Sequence, residues 1–493
     1  MVWTDRRWRV ALLALVVATI LIRARYFGNP FIDVDEEFYL LTGDRLLHGA
    51  IPYVDIWDRK PVGLFLLYAG IRLLGGDGIL AYQIVASMFV ATTAVVIAVL
   101  ARRVSSPVAA LVGGLAYVPA LAMNNGAGGQ TPVFYNLFMA LAALTIVRLI
   151  EAPGGRGRMA RQGTVAMLLV GIAMQIKYSA VFEGAYFGLA LLWIDHRRGA
   201  PLGSRVLHAA AWVGVAFVPT LAAWLAYVAI GHGPEFVFAN FTSIVARGNP
   251  SVDHQLNDLR HILVRLVPFL LPLLFGEWFL RDFRRPASDE PDRVAVHRFV
   301  LGWVAAAVAG FAVFGTFFDH YALPLLVPLA IAATPAFTIR YRAAGPILAA
   351  VLMLVLFVAY PLNAAKQERK RGDADYARLL TAEIAPELHG GCLYVFYGEP
   401  ILYQLTHSCL PSRWSFPFHL SLRREAPALG VDPMAEVKRI LAARPPVVVD
   451  RLNTDDEVNK PVQAYVRAVL ARDYRLAAAH RRRSDVDQVW VRR

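Results

Sequence analysis

The stretch that decides the fold lies near the N-terminus, where residues 33–39 read Asp-Val-Asp-Glu-Glu-Phe-Tyr and residues 55–61 read Asp-Ile-Trp-Asp-Arg-Lys-Pro. It follows an apolar segment at 10–27, which is long enough to cross a bilayer. The spacing of residues 35–48 predicts a helix with Asp35 and Tyr39 on one face. Acidic residues this dense, directly after a membrane helix, indicate a site facing water. The alternative is a solvated amphipathic helix whose acidic first turn complements the helix dipole.

The composition of the whole chain is that of a membrane protein. Of its 493 residues, 57% are hydrophobic and 18% are charged, whereas a soluble protein carries about 25% charged residues. This excludes a single water-soluble core, a disordered chain and a nucleic-acid-binding protein, despite the net charge of +13. Two cysteines also exclude a disulfide scaffold and a cysteine-rich zinc protein.

Eleven apolar segments are predicted to cross the membrane. They are 10–27, 79–100, 107–122, 132–150, 164–176, 178–194, 207–230, 261–280, 299–316, 322–339 and 343–362.

Arginine clusters alternate with loops that lack Lys and Arg, and positively charged loops stay in the cytoplasm. The clusters are Arg6/Arg7/Arg9, Arg102/Arg103, Arg156/Arg158/Arg161, Arg197/Arg198/Arg205, Arg281/Arg284/Arg285 and Arg340/Arg342. This alternation predicts a cytoplasmic N-terminus and a C-terminal domain on the outer side, and the excess of arginine over lysine with abundant alanine suggests a bacterial inner-membrane protein with that domain in the periplasm. It also predicts that residues 61–75 form a helix lying on the outer surface.

The chain divides into a membrane domain at 1–363, which contains a first periplasmic loop at 28–75, and a polar region at 364–493. In that region, strand-like runs at 392–397 and 447–450 and helical patterns at 433–444 and 461–472 predict a small soluble α/β domain. Cys392 and Cys409 both fall there. Because the periplasm oxidises thiols, we predict a disulfide between them; the alternative is two buried free cysteines.

Three further places carry candidate functional residues. Lys177 is the only lysine between Lys60 and Lys366, and an ionisable group at membrane depth marks a functional site; the alternative is a snorkelling side chain at a helix end. The outer loop 231–260 contains Arg247 and histidines whose spacing fits no tight metal motif. The polar group at 317–321 is either a site or a cap between membrane helices.

These motifs together resemble the GT-C glycosyltransferases that use polyprenyl-phosphate sugars. That group includes protein O-mannosyltransferases, the aminoarabinose transferases of lipid A and galacturonosyltransferase-like members, of the glycosyltransferase family 39 type. The family pattern Asp-Glu-x-x-Tyr matches residues 35–39, and its Lys-Pro pair matches residues 60–61. Its lysine between two short spans matches Lys177, and its polar-Tyr-x-x-Pro entry to a late helix matches residues 320–324. The resemblance covers residues 1–362 and implies a polytopic α-helical GT-C fold with about 11 transmembrane helices and outer surface helices.

The resemblance implies that a sugar moves from a polyprenyl phosphate to an acceptor hydroxyl on the periplasmic face, with inversion at the anomeric carbon. Asp35 then corresponds to the general base, and Glu36 is the neighbour that binds donor or acceptor. The leaving phosphate requires cations, for which Lys177, Lys60 and Arg247 are the candidates. The candidates for further substrate binding are Tyr39, Asp58, Gln130, His320 and Tyr321. The expected partners are the bilayer, the lipid-linked donor and a glycan, lipid or protein acceptor, and no nucleic acid.

One departure from the family pattern bears on this interpretation. Many relatives carry a second acid in the outer loop before the fourth span, but residues 128–132 here read Gly-Gly-Gln-Thr-Pro. The divalent metal that such an acid helps to bind is therefore an open candidate cofactor. Two other classes remain alternatives: a non-catalytic subunit of envelope-glycan assembly, and a polytopic transporter or flippase. A transporter predicts ionisable residues deep in several helices or an internal repeat, and the sequence has neither.

Overall fold

The chain is predominantly helical in the computed structural model, which describes residues 4–152, 154–279, 291–313, 315–452, 457–482 and 485–493. The α-helices are α1 (Asp5–Arg23), α2 (Val34–Leu47), α3 (Val62–Arg72), α4 (Ile79–Ala101), α5 (Pro107–Leu121), α6 (Thr131–Glu151), α7 (Arg156–Met174), α8 (Ala180–Arg197), α9 (Leu202–Ala229), α10 (Gly233–Val237), α11 (Ser243–Ala246), α12 (Val252–Phe279), α13 (Pro291–Val313), α14 (Leu326–Ala332), α15 (Ala344–Arg371), α16 (Ala374–Ile384), α17 (Leu402–Leu405), α18 (Pro417–Ser421), α19 (Pro433–Ala442) and α20 (Lys460–Asp473). Short 3₁₀ or π turns cover Ala24–Tyr26, Ala122–Gly126, Phe238–Thr242, Asp319–Leu325, Thr334–Thr338, Tyr341–Ala343, Ala385–Leu388 and Arg423–Ala428. The strands are β1 (Leu393–Val395), β2 (Val447–Arg451), β3 (Tyr474–Arg482) and β4 (Asp485–Arg492).

Among the described residues, eight helical segments are long and apolar enough to cross a membrane. They are Ile79–Ala101, Pro107–Gly126, Thr131–Glu151, Leu202–Ala229, Val252–Phe279, Asp292–Val313, Asp319–Thr338 and Tyr341–Leu388. The helices α1, α7 and α8 overlap the three other predicted segments, 10–27, 164–176 and 178–194, but are not among these eight. The prediction of a multi-pass helical membrane protein is confirmed. The predicted cluster Arg281/Arg284/Arg285 lies outside the described residues.

The contacts between helices divide the chain into two compact units. The first unit comprises Met1–Arg25, Ile84–Ala222 and Val252–Asn363, and the second comprises Tyr26–Gln83, Ala223–Ser251 and Ala364–Arg493. The first outer loop and the C-terminal region are therefore parts of one unit, although most of the membrane helices lie between them in the sequence.

Contacts at one end of the first unit join segments that the arginine pattern assigns to the same side of the membrane. The Arg102 guanidinium lies 4.6 Å from the ring centroid of Trp8, and Arg103 forms an ion pair with Glu151 at 2.6 Å. The start of α1, the loop after α4 and the end of α6 consequently meet at the same end of the helices. The alternation of charged loops requires this arrangement.

A buried arginine organises the loop between α5 and α6. Arg23, at the end of α1, is 1% exposed and donates to the carbonyl oxygens of Gly126 and Gly128 at 2.9 and 2.8 Å. It also donates to the Ser87 hydroxyl at 3.0 Å. A buried guanidinium needs such partners for its donors. Arg23 therefore fixes the loop that leads to Gln130.

In the second unit, α2 and α3 pack closely against each other. The side chain of Asp33 caps α2 by accepting from the backbone N–H of Asp35 at 3.1 Å, and the acidic first turn complements the helix dipole. A Cβ on Gly43 would come within 2.7 Å of the backbone of Tyr68 and Ala69, so this approach requires glycine. At 11 residues, α3 is roughly 16 Å long, too short to cross a bilayer core of about 30 Å.

The C-terminal region forms a mixed sheet with the strand order β1-β2-β4-β3. β1 and β2 are parallel, with Leu393 opposite Val447, whereas β4 pairs antiparallel with both β2 and β3. The predicted C-terminal α/β domain is confirmed, and its two predicted strands and two predicted helices correspond to β1, β2, α19 and α20. The β3–β4 hairpin was not predicted. Cys392 and Cys409 are joined in a disulfide with their Cα atoms 4.7 Å apart.

Candidate active site

Four residues of the first outer loop come together around the start of α2. The Lys60 ammonium lies 3.9 Å from the Asp58 carboxylate and 5.3 Å from the ring centroid of Tyr39. Burial raises the pKa of the Tyr39 hydroxyl well above its usual value, and the negative charges of Asp35 and Asp58 add to that effect. These four side chains, Asp35, Tyr39, Asp58 and Lys60, are called the Asp35 cluster below. All four are predicted site residues.

The Asp35 cluster contains two carboxyl groups in different environments. Asp58 is 7% exposed, and burial raises its pKa, an effect that Lys60 and Arg59 oppose and that Asp35 reinforces. Asp35 is only partly buried. A neighbouring like charge disfavours simultaneous ionisation of two acids. Asp35 is the more exposed of the two carboxyl groups and is therefore the one that an incoming hydroxyl can reach.

The two acids that follow Asp35 point into the protein. Glu36 is fully buried and accepts a hydrogen bond from the Tyr82 hydroxyl at 3.3 Å. Glu37 is 1% exposed and accepts from the backbone N–H of Ile401 at 3.3 Å. Burial and the charge of Glu399 raise the pKa of Glu37 well above its usual value. Of the three consecutive acids, Asp35 alone retains exposure. Glu36 contacts the buried tyrosines rather than an open surface.

The segment that carries Asp58 and Lys60 is anchored at several points. The Tyr53 hydroxyl donates to the Lys60 carbonyl oxygen at 2.8 Å, and the backbone N–H of Trp57 donates to the Arg413 carbonyl oxygen at 2.9 Å. Tyr53 adopts a positive φ of 71°, a conformation uncommon for a residue with a Cβ. These contacts fix the backbone from Tyr53 to Lys60.

Arg247 lies in an ion pair with Glu425. Its guanidinium is 2.6 Å from the Glu425 carboxylate, which Arg59 also contacts at 2.6 Å. Burial alone would raise the pKa of Glu425, but Arg247 and Arg59 hold it down at about 2. Arg247, the third candidate for phosphate binding, thus shares one carboxylate of the second unit with Arg59.

The first unit contains a separate pocket around Lys177. α7 ends at Met174 and α8 begins at Ala180, so Lys177 lies in the turn between them, with its ammonium 4.0 Å from the ring centroid of Tyr321. The polar and aromatic side chains that line this pocket are Tyr135, Lys177, Ser179, Phe182, Glu183, Phe311 and Tyr321. The structure thereby brings together two predicted residues, Lys177 and Tyr321.

The other predicted site residues of the first unit are His320 and Gln130. Both are close to pocket residues in the sequence but have other neighbours in the structure. The His320 ring is stacked on Phe318 at 5.8 Å and meets Tyr321 edge-on at 4.8 Å, so it supports Tyr321. Gln130 is fully buried at the start of α6.

Glu183 is a pocket residue that the sequence analysis missed. It is 4% exposed and accepts a hydrogen bond from the indole N–H of Trp303 at 2.5 Å. It is the only acidic residue in the predicted segment 178–194 before Asp195, and that isolation within an apolar run was an available signal. Glu425 gave no such signal, because its partners Arg59 and Arg247 are distant in the sequence.

The geometry gives no support to a metal centre. Among the described residues, no group of three or more His, Cys, Asp or Glu side chains is arranged to hold a metal ion. The Asp58 carboxylate of the Asp35 cluster has the Lys60 ammonium as its neighbour.

The fold is similar to that of two solved ArnT structures, which confirms the predicted fold class. The crystal structure of ArnT from Cupriavidus metallidurans bound to undecaprenyl phosphate is similar, with a TM-score of 0.62, 16% identity and coverage of 99% of this chain and 98% of that chain. The structure of the same protein in the apo state gives a TM-score of 0.66 at 15% identity, covering 98% of this chain and 97% of that chain. Residues 58–224 match the model of the dolichyl-phosphate-mannose-protein mannosyltransferase family. No curated protein matches the sequence. The resemblance indicated by the motifs is confirmed.

Proposed function

We propose that this chain is a glycosyltransferase that moves a sugar from a polyprenyl-phosphate donor to an acceptor hydroxyl on the periplasmic face of the inner membrane. The observation that carries this proposal is the Asp35 cluster, in which an accessible carboxylate, a buried carboxylate and an ammonium share one site. The family match supports sugar transfer. The ArnT complex supports a polyprenyl phosphate as the donor lipid.

Asp35 acts as the general base. Its carboxylate takes the proton of the acceptor hydroxyl while that oxygen attacks the anomeric carbon of the donor sugar. The bond between the anomeric carbon and the phosphate oxygen breaks, and the polyprenyl phosphate leaves with the electron pair. Direct displacement by one nucleophile inverts the anomeric centre. A positioned general base contributes typically about 10²–10⁴-fold to the rate.

Cations stabilise the leaving phosphate. Lys60 supplies positive charge beside Asp35, and Asp58 holds that ammonium at 3.9 Å. Lys177, in the pocket of the first unit, is a further candidate cation for the donor phosphate. Charge stabilisation by preorganised groups is usually a large contribution to catalysis, and a phosphate that leaves as an anion needs no proton from a general acid. The N-terminus is cytoplasmic and residues 364–493 are periplasmic in this proposal.

Asp35→Asn tests the proposal, because it removes the basic carboxylate with little change in size. We expect envelope glycans from cells that carry only this variant to lack the added sugar by mass spectrometry. Binding of undecaprenyl phosphate by the purified variant should be unchanged.

Asp55→Asn is the matched control. Asp55 is an exposed acid of the same loop that caps the backbone N–H of Ile51 at 2.8 Å, and glycan transfer should survive its replacement. Normal glycans with Asp35→Asn would refute the assignment of the base and favour a non-catalytic subunit.

A further inference from the structure

A second pocket lies within the second unit, beside the segment that leads to Lys60. Its aromatic and charged lining residues are Tyr53, Trp57, Glu235, Phe238, Arg413 and Trp414. The ring centroids of Trp57 and Trp414 are 4.6 Å apart, and both rings are buried. The exposed Arg413 lies over Trp414, with its guanidinium carbon 4.8 Å from the ring centroid. The pocket therefore combines two indole rings with one charge of each sign.

One wall of this pocket carries a polar group without a partner. Trp57 is 1% exposed, and its indole N–H has no hydrogen-bond partner among the described residues. A buried donor that is left unsatisfied carries an uncompensated desolvation penalty. An acceptor atom of a ligand in the pocket would remove that penalty. Glu235, with 38% of its side chain exposed, and Arg413 add an acceptor and a set of donors at the opening.

These features match the chemistry of a sugar ring. A pyranose has apolar C–H faces that pack on aromatic rings, and hydroxyl groups that both donate and accept hydrogen bonds. Tryptophan offers a large apolar face and one polar handle, and charged groups make the stronger hydrogen bonds to hydroxyls. A polyprenyl chain would offer no polar atom to the Trp57 N–H or to the Glu235 and Arg413 side chains. The pocket chemistry therefore favours a saccharide over a lipid tail.

The pocket lies beside the segment that also carries Asp58 and Lys60 of the Asp35 cluster, so it is placed to bind the acceptor. Trp57 lines the pocket and is followed in the chain by Asp58, while the Tyr53 hydroxyl on another wall holds the Lys60 carbonyl oxygen at 2.8 Å. The same short segment thus forms one side of the pocket and one side of the Asp35 cluster. We propose that this pocket binds a sugar ring of the acceptor and so makes the acceptor a glycan or glycolipid. This inference rests on the proposed function, since it names the substrate class for the same site.

Binding measurements on the purified full-length protein test the inference directly. The probes are the oligosaccharide fraction released from the host cell envelope by mild acid, methyl α-mannoside, and undecaprenyl phosphate. We expect saturation-transfer NMR to show sugar C–H protons in contact with aromatic protons in the wild type. Trp414→Ala should abolish that signal and Arg413→Ala should weaken binding at least tenfold, whereas Trp414→Phe should retain part of it. All three variants should bind undecaprenyl phosphate normally, which shows that they are folded.

Trp193→Ala and Arg378→Ala are the matched controls, because both side chains are highly exposed and should leave saccharide binding unchanged. Wild-type saccharide affinity in Trp414→Ala and Arg413→Ala would overturn the inference, as would the absence of any saccharide signal. Weakened binding of the sugar-loaded donor lipid, with free saccharides unaffected, would assign the pocket to the donor and overturn it as well. Asp35→Asn should bind saccharide normally, so failure of the catalytic proposal is distinguishable from failure of this one.

Discussion

Glu425 offers a quantitative test of how the second unit is held together. Its carboxylate is 3% exposed and lies 2.6 Å from the guanidinium groups of both Arg59 and Arg247. Glu425→Gln keeps the shape of the side chain but removes the charge that these two arginines share. Because Arg59 precedes Lys60 directly, the same change also loosens the segment that carries the Asp35 cluster.

The magnitude follows from the pKa of Glu425, which falls from its usual 4.5 to about 2 in the folded protein. A depressed folded-state pKa means that the stabilisation is fully present above pH 4.5 and is lost as the pH falls through about 2. At roughly 1.4 kcal/mol for each pH unit, the charged carboxylate stabilises the fold by about 3 kcal/mol. Breaking a buried ion pair by removing one partner costs a similar amount, about 3–5 kcal/mol.

Denaturant unfolding of the detergent-purified protein, followed by tryptophan fluorescence between pH 3 and pH 7, measures this effect. We expect Glu425→Gln to lower the free energy of unfolding by about 3 kcal/mol at pH 7, with the difference shrinking to about 1 kcal/mol at pH 3. The control is Asp375→Asn, since Asp375 and its partner Arg378 are 80% and 74% exposed, and surface pairs contribute about 0–1 kcal/mol. A difference that is independent of pH would refute the electrostatic account of Glu425.

Three further predictions concern the donor site, the disulfide and the topology. Lys177→Ala should strongly weaken binding of undecaprenyl phosphate and Lys177→Arg should restore part of it, because arginine keeps the charge in a different shape; equal affinity in the alanine variant would contradict this role. Replacing Cys392 and Cys409 by serine should lower the free energy of unfolding by about 3 kcal/mol, the value for a closed loop of roughly this length, and alkylation under denaturing conditions with and without reductant should reveal both thiols only after reduction. A cysteine introduced at 75–78 should react with a membrane-impermeant reagent, whereas protection would mean that residues 61–75 cross the membrane.

The membrane helices were predictable from sequence because the bilayer imposes a minimum apolar length on each of them. The C-terminal sheet was predictable only in part. Its buried strand β2 contains a run of valines that strand propensity identifies. In β3 the sequence around Ala478 is rich in alanine and arginine, and its side chains are largely exposed. Alanine is depleted in strands, so the pairing of β3 with β4 is decided by contacts rather than by local preference.

The candidate site, too, was predictable from the sequence only in part. Asp35, Tyr39, Asp58 and Lys60 were identifiable because they belong to one loop whose charges stand out against an apolar chain. Their different degrees of burial were not identifiable, since three consecutive acids look alike in a sequence. Neither was Glu425, because a carboxylate in the C-terminal region looks like any solvated charge until the fold places Arg59 beside it.

The anchoring of residues 53–60 explains why the C-terminal region shares a unit with the first outer loop. Different elements hold successive points of that segment. The Tyr53 hydroxyl lies 3.4 Å from the Asn240 amide oxygen, and the Trp57 backbone N–H donates to the Arg413 carbonyl oxygen at 2.9 Å. Arg59 forms an ion pair with Glu425. A loop of this length without such contacts would sample many conformations, and each would place the Lys60 ammonium differently. Charge stabilisation requires groups that are already in position when the reaction begins. In the proposed mechanism, the C-terminal contacts act on the chemistry through the backbone that presents Lys60, without touching the reacting atoms.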